Sequence, residues 1–229
     1  MFDAKVLVDQ LLNSGKELAK KAQDLAENKL GIPDSGPERD RMISGLGKGA
    51  LAGGLVAMLL GTKSGRKISG QLIKYGSIAA IGTVAFQAYR QWQSSNGQTV
   101  SDVQPVERNK IEADQHSRLM LRAMIAAANA DGHIDANEMK SIEGQLRQLN
   151  LGSEGENWFQ SELRSPASPV ELSNHVHSET EAAELYLTSS MLLDESIPVD
   201  RAYLDQLAQA LRLDRGLVQQ LENSEKQST

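Results

Sequence analysis

Apolar positions recur with three different rhythms along this chain. Over residues 3–30, Ala4, Leu11, Leu18 and Leu25 fall every seventh position, with Leu7 and Ala22 on the intervening turns. Lys16, Glu17, Lys20, Lys21, Asp24 and Glu27 occupy the other side. So narrow a stripe predicts an amphipathic helix suited to another helix or to a membrane surface. It can seat against a second copy or fold back on the chain's own C-terminal part. Gly31, Ile32 and Pro33 stop it, which sets a first segment at 1–33, and Asp34 to Asp40 is a polar turn.

The second rhythm, over residues 42–92, is set by small residues. Gly49 to Thr62 and Tyr75 to Tyr89 contain no charge, and Lys63, Arg66, Lys67 and Lys74 lie between them. Gly45, Gly49 and Gly53 recur every four positions, as do Ala50, Gly54 and Met58 on a neighbouring stripe. In water each interior glycine costs a helix about 0.8–1 kcal/mol relative to alanine. In lipid, small residues at this spacing let backbones approach closely, and the helix satisfies its own polar groups. The segment therefore reads as membrane-associated, with Gly45, Gly49, Gly53 and Gly54 as helix-packing positions. Each run is short, because 15 helical residues cover about 22 Å of a roughly 30 Å hydrocarbon core. Snorkelling Lys48 and Lys74 would extend them. A glycine-rich hairpin packed on itself is the competing reading.

Ser94 to Glu107 has no apolar period and contains Ser, Asn, Gly and Pro, so residues 93–107 read as a linker. Beyond it, residues 108–224 read as a helical domain. Leu119, Met120, Ala123, Met124, Ala127 and Ala128 mark one buried face of a helix over 115–130. Ile142, Leu146 and Leu149 mark a second. Further helices are expected at Glu154–Leu163, Pro169–His177, Thr180–Leu193, Val199–Leu211 and Arg215–Glu222, with prolines marking starts. Ala130-Asp-Gly-His-Ile134 is echoed by Leu193-Asp-Glu-Ser-Ile197, and the preceding helices keep register. This predicts an all-α fold whose distal part is a pseudo-two-fold pair of helix–loop–helix units.

Charge sharpens this division. Residues 1–107 hold 13 Lys/Arg against 10 Asp/Glu, and residues 108–229 hold 11 against 20. A basic proximal part and an acidic distal part suit an anchored protein. The acidic half counts against nucleic acid as a partner. The chain has no cysteine, which excludes disulfides and thiolate metal sites. The first thirty residues lack an uninterrupted apolar run, so no cleavable signal peptide is expected.

Asp131, Asp135 and Glu138 are the sharpest polar constellation. Their spacing lets three carboxylates converge on a hard cation (Ca, Mg or Mn), and Asp194 and Asp200 hold the matching places in the second unit. The same residues can instead serve the backbone, with Asp135 and Glu138 as a capping box and Asp131 fixing the turn. His133 stands where an EF-hand requires a third ligand. His116, His133, His175 and His177 read as exposed polar residues. Trp158-Phe159 reads as a core anchor, and Tyr186 and Tyr203 as core-edge residues with hydroxyls at the surface. No nucleophile elbow, P-loop or dinucleotide fingerprint occurs, so no catalytic residue is named.

The run Ala127-Ala-Asn-Ala-Asp-Gly-His-Ile-Asp-Ala-Asn-Glu138 resembles the TerB-like domain of tellurite-resistance proteins. Ala202-Tyr-Leu-Asp-Gln-Leu-Ala-Gln-Ala-Leu-Arg-Leu213 is similar to that domain's closing helix. With the glycine-rich segment, the whole chain resembles the YebE-like bacterial inner-membrane proteins, a family of unknown function. The resemblance implies a helical bundle, an inner-membrane location with the C-terminal domain in the cytoplasm, and a divalent metal at the acidic loop. The resulting expectation is a non-enzymatic, membrane-tethered adaptor that binds a protein partner in envelope or metal stress. The alternative is a glycine-zipper homo-oligomer in the bilayer with a structural or pore-like role.

Overall fold

The structure is a computed structural model, and it describes residues 3–5, 7, 78–97, 109–130 and 152–227. Among the described residues there are seven helices and no strand: α1 (Ile78–Ser95), α2 (Lys110–Ala128), α3 (Gly152–Arg164), α4 (Pro169–Ser173), α5 (Glu179–Ser190), α6 (Pro198–Ala210) and α7 (Arg215–Gln227). The all-α expectation holds for them. Gly45, Gly49, Gly53, Gly54 and the rest of the first charge-free run lie outside the described residues, as does the loop carrying Asp131, His133, Asp135 and Glu138.

Helix starts follow local chemistry. Asn109 accepts from the backbone N–H groups of Ile111 and Glu112 at 3.0 Å, and Glu112 accepts from the Asn109 N–H, completing a capping box. Ser168 and Glu171 repeat the device ahead of α4, and Ser178 caps α5 through the Glu181 N–H. Pro169 and Pro198 open α4 and α6, where a missing N–H costs nothing.

Helix α5 is the centre. Every residue from Glu181 to Ser190 is buried, and α1, α2, α6 and α7 all pack on it. A helix covered on all sides has no polar face, so its hydroxyls turn back on their own backbone. Thr188 donates to the Glu184 carbonyl at 2.8 Å, Ser189 to Leu185 at 3.1 Å and Ser190 to Leu187 at 3.1 Å. Tyr186 is fully buried, contrary to the core-edge expectation, because it sits on this central helix. Trp158-Phe159 divides its roles: Phe159 is buried and Trp158 is half-buried.

Helix α1 corrects the sequence-derived organisation. It comes from the second charge-free run, yet Ile81, Ala85, Ala88 and Tyr89 are buried in the same core as α5 and α7. Among the described residues no helix is long and apolar enough to cross a membrane. A charge-free helix is equally at home in a protein core, and here α5 and α7 supply that core. The expected linker also starts late. α1 runs on through Gln93 to Ser95, and the side chains of Ser94, Ser95 and Asn96 take up the carbonyls of Gln91 and Trp92 at its end. Gly97 then turns the chain at φ +67°.

The start of the chain joins the same core. Ala4 and Leu7 are buried, and the Ala4 N–H donates to Asp114 Oδ1 of α2 at 2.7 Å. Two positions of the N-terminal stripe thus fold back on the distal bundle.

Candidate functional site

The main polar feature of the interior lies where α2 crosses α5. His116 is one turn before Leu119 and Met120 on the buried face of α2, so the apolar stripe carries it inward. Glu181 and Glu184 are three apart on α5 and therefore share a face. His116 Nδ1 lies 2.9 Å from Glu181 Oε1, and Nε2 lies 3.0 Å from Glu184 Oε1. The three residues are 6%, 9% and 5% exposed. The expectation of an exposed His116 is thereby corrected. His175 and His177 are exposed, as read.

A neutral imidazole has one N–H and can donate to only one carboxylate. Two short contacts on opposite ring nitrogens therefore require one extra proton within the group. Either the ring is an imidazolium between two carboxylates, or it is neutral beside one protonated glutamic acid. These are two arrangements of one coupled system with the same number of protons.

Each carboxylate is held from a second direction. Glu181 Oε2 accepts from the His177 backbone N–H at 2.9 Å, which ties the α4–α5 loop to the cluster. Glu184 lies against α1 at Gly82, where a Cβ would stand 2.9 Å from Glu184 Oε1. A Cβ at this position would require the end of the Glu184 side chain to shift. At the other end of α1, Tyr89 donates to Glu179 Oε2 at 2.6 Å and accepts from Gln93 at 2.7 Å. Burial and the Glu179 carboxylate push the Tyr89 phenol up to about 12.

Above His116 a cleft of about 710 Å³ opens between α2, α3 and the α4–α5 loop. Leu119 and Trp158 give it an apolar wall. Arg118 sits 5.8 Å from the Trp158 ring centroid and donates to Asp114 at 2.8 Å. Arg122 Nε lies 3.1 Å from the Glu162 carboxylate, bridging α2 to α3. The charged rim is thus held in place by ion pairs.

Asp194 and Asp200 bond within their own loop. The Asp194 carboxylate accepts from the Ser196 N–H and hydroxyl, forming a side-chain turn. Asp200, buried in the first turn of α6, accepts from the Asp194 N–H at 2.9 Å. Among the described residues no group of three or more His, Asp or Glu is disposed to hold a metal ion.

A second polar cluster lies on the α7 side of α5. The Tyr186 hydroxyl donates to Glu222 Oε1 at 2.8 Å, and Arg201 donates to the same oxygen at 2.9 Å and to Asp205 at 2.7 Å. Burial, with the adjoining Glu222, raises the Tyr186 phenol far above its ordinary value. Nearby, Glu225 accepts from Ser190 at 3.0 Å, and burial pushes its carboxyl up to about 7.

The class defined here is an all-helical bundle built around a buried, polar-studded central helix, with a charged cleft on one flank. Residues 45–224 match the family described as a protein of unknown function (DUF533), a TerB-like family, and the chain belongs to it. It is also similar to an uncharacterized protein in the ampR 5' region of Yersinia enterocolitica. That likeness is 32% identity over 100 residues, covering 44% of this chain and 72% of the relative. No solved structure matches.

Proposed function

We propose that this chain is a non-enzymatic adaptor, tethered to the bacterial inner membrane by its glycine-rich segment, whose helical bundle recognises a protein partner through the cleft over His116. One observation carries the reading: the ionic groups around the cleft are already committed to one another. Arg118 is bonded to Asp114, Arg122 to Glu162, and both ring nitrogens of His116 to carboxylates. A general base needs a lone pair facing its substrate. A recognition surface needs its charges fixed before the partner arrives, which lowers the ordering cost of binding. Half-buried Trp158, stacked under Arg118, is the kind of anchor that dominates protein interfaces. The charge-free run 49–62 with its flanking lysines supports the tether, and the acidic loop at Asp131, Asp135 and Glu138 is the proposed seat of a divalent cation.

A photo-crosslinking side chain placed at Gln115, in the cleft, and at Ala202, outside it, tests the reading in cells. Gln115 should yield a discrete adduct in the membrane fraction, lost on Trp158→Ala or Arg122→Glu, and Ala202 should not. Equal labelling from both positions, or an adduct indifferent to both substitutions, would sink the cleft as a recognition surface.

A further inference from the structure

We propose that the last turn of α7 is a proton-dependent clasp: neutral Glu225 seats it on the end of α5, and loss of that proton loosens it. Glu222 and Glu225 are three apart on α7 and share a face, which meets Tyr186 and Ser190, four apart on α5. Glu222 Oε1 receives both the Tyr186 hydroxyl and the Arg201 guanidinium, so its negative charge is met by a cation. Glu225 Oε2 instead meets the neutral Ser190 hydroxyl at 3.0 Å. That hydroxyl has one hydrogen and, among the described residues, two acceptors in reach, the second being the Leu187 carbonyl at 3.1 Å.

Both contacts are made at once when Glu225 is a carboxylic acid. It donates to Ser190 Oγ, and Ser190 donates onward to Leu187. When the proton leaves, the hydroxyl must turn from Leu187 to the carboxylate. Leu187 keeps the Met191 N–H, so the loss falls on Glu225, whose charge is left in a half-buried place.

The surrounding charges favour the acid form. Burial first, then the like charges of Glu195 and Glu222, push the Glu225 carboxyl up to about 7, against the Ser190 hydroxyl and Lys226. Lys226 itself reaches Glu195 of the α5–α6 loop at 3.1 Å. On α6, Arg201 is bonded to Asp205 and to Glu222. On α1, which also packs against α7, Arg90 lies over Phe86 and Tyr89 is bonded to Glu179.

The sign follows from linkage. With the turn open, Glu225 is solvated and ionises near its ordinary value, whereas the seated residue holds its proton up to about 7. Opening therefore becomes easier as pH climbs from the first value to the second, and it levels off beyond. The clasp is tightest in acid. The same turn carries Lys226, so its release also unties Glu195 and the loop that bears Asp194. This device lies on the α7 side of α5 and does not depend on the cleft over His116.

Two measurements on the full chain test it. Backbone hydrogen exchange, corrected for the chemical rate at each pH, reads the turn, and a carbon-13 carboxyl titration reads the proton. Protection of residues 221–227 relative to α6 should fall about tenfold between pH 5 and pH 8 and then stay level. The Glu225 carboxyl should titrate near 7. Glu225→Gln should keep the turn protected across the range, and Glu195→Gln should retain the pH response. A flat ratio in the parent chain, or a Glu225 carboxyl titrating at its ordinary value, overturns the clasp. So does a response that survives Glu225→Gln or vanishes with Glu195→Gln.

Discussion

The two flanks of α5 meet the same problem with different chemistry. Each brings carboxylates into a poorly hydrated place. On the α2 side their partner is an imidazole, 6% exposed, which can lose its charge. On the α7 side the partner of Glu222 is Arg201, whose side chain is 37% exposed and whose guanidinium stays charged at any physiological pH. Burial makes the first cluster costly to break. The second is wetter and more tolerant, and its member sensitive to rising pH is Glu225.

The largest effect separates the flanks directly. His116→Leu takes the imidazole away from two buried carboxylates and should cost about 3–5 kcal/mol in denaturant unfolding. Arg201→Leu should cost about 1 kcal/mol, because water reaches the vacated place. Comparable losses would show that burial is not what distinguishes the clusters.

Next in size is the backbone approach beside Glu184. Gly82→Val places carbon against the carboxylate and should cost about 1–3 kcal/mol by overpacking, with Gln87→Ala, on the exposed side of α1, as the near-neutral control.

The smallest effect is specific to the α7 side. Glu225 is raised to about 7 in the folded chain, chiefly by burial, against an ordinary value near 4.5. The folded state therefore holds this proton more tightly than the unfolded one. Its stability contribution is complete below the ordinary value and is lost as pH climbs through 7. Glu225→Gln should accordingly leave stability unchanged at pH 4 and raise it by about 1 kcal/mol at pH 8. Melting curves at the two pH values check the sign.

Helix positions in the distal half were legible because their signals are local. Asn109 with Glu112 and Ser168 with Glu171 cap in place, and each proline marks a start. The place of α1 was not legible. A charge-free run has the same composition whether α5 or lipid covers it, and only the long-range contacts of Ile81 and Ala85 decide. His116 was missed for a related reason. Its partners are 65 and 68 residues away, and an isolated histidine near a helix start reads as solvated. The signal available was its register with Leu119 and Met120, together with two glutamates three apart on α5, a helix with no basic residue. Asp194 and Asp200, matched in sequence to the first loop, bond to Ser196 and to the loop backbone.

The seating of Ala4 and Leu7, with the Ala4 amide on Asp114, bears on how this protein is handled at the bench. A truncation beginning at residue 108 is the cut that charge and composition invite. It would strip away both this N-terminal plug and the whole of α1, leaving one side of α5 bare. Such a fragment should clump or bind dyes that report exposed greasy surface, so binding assays are better run on all 229 residues.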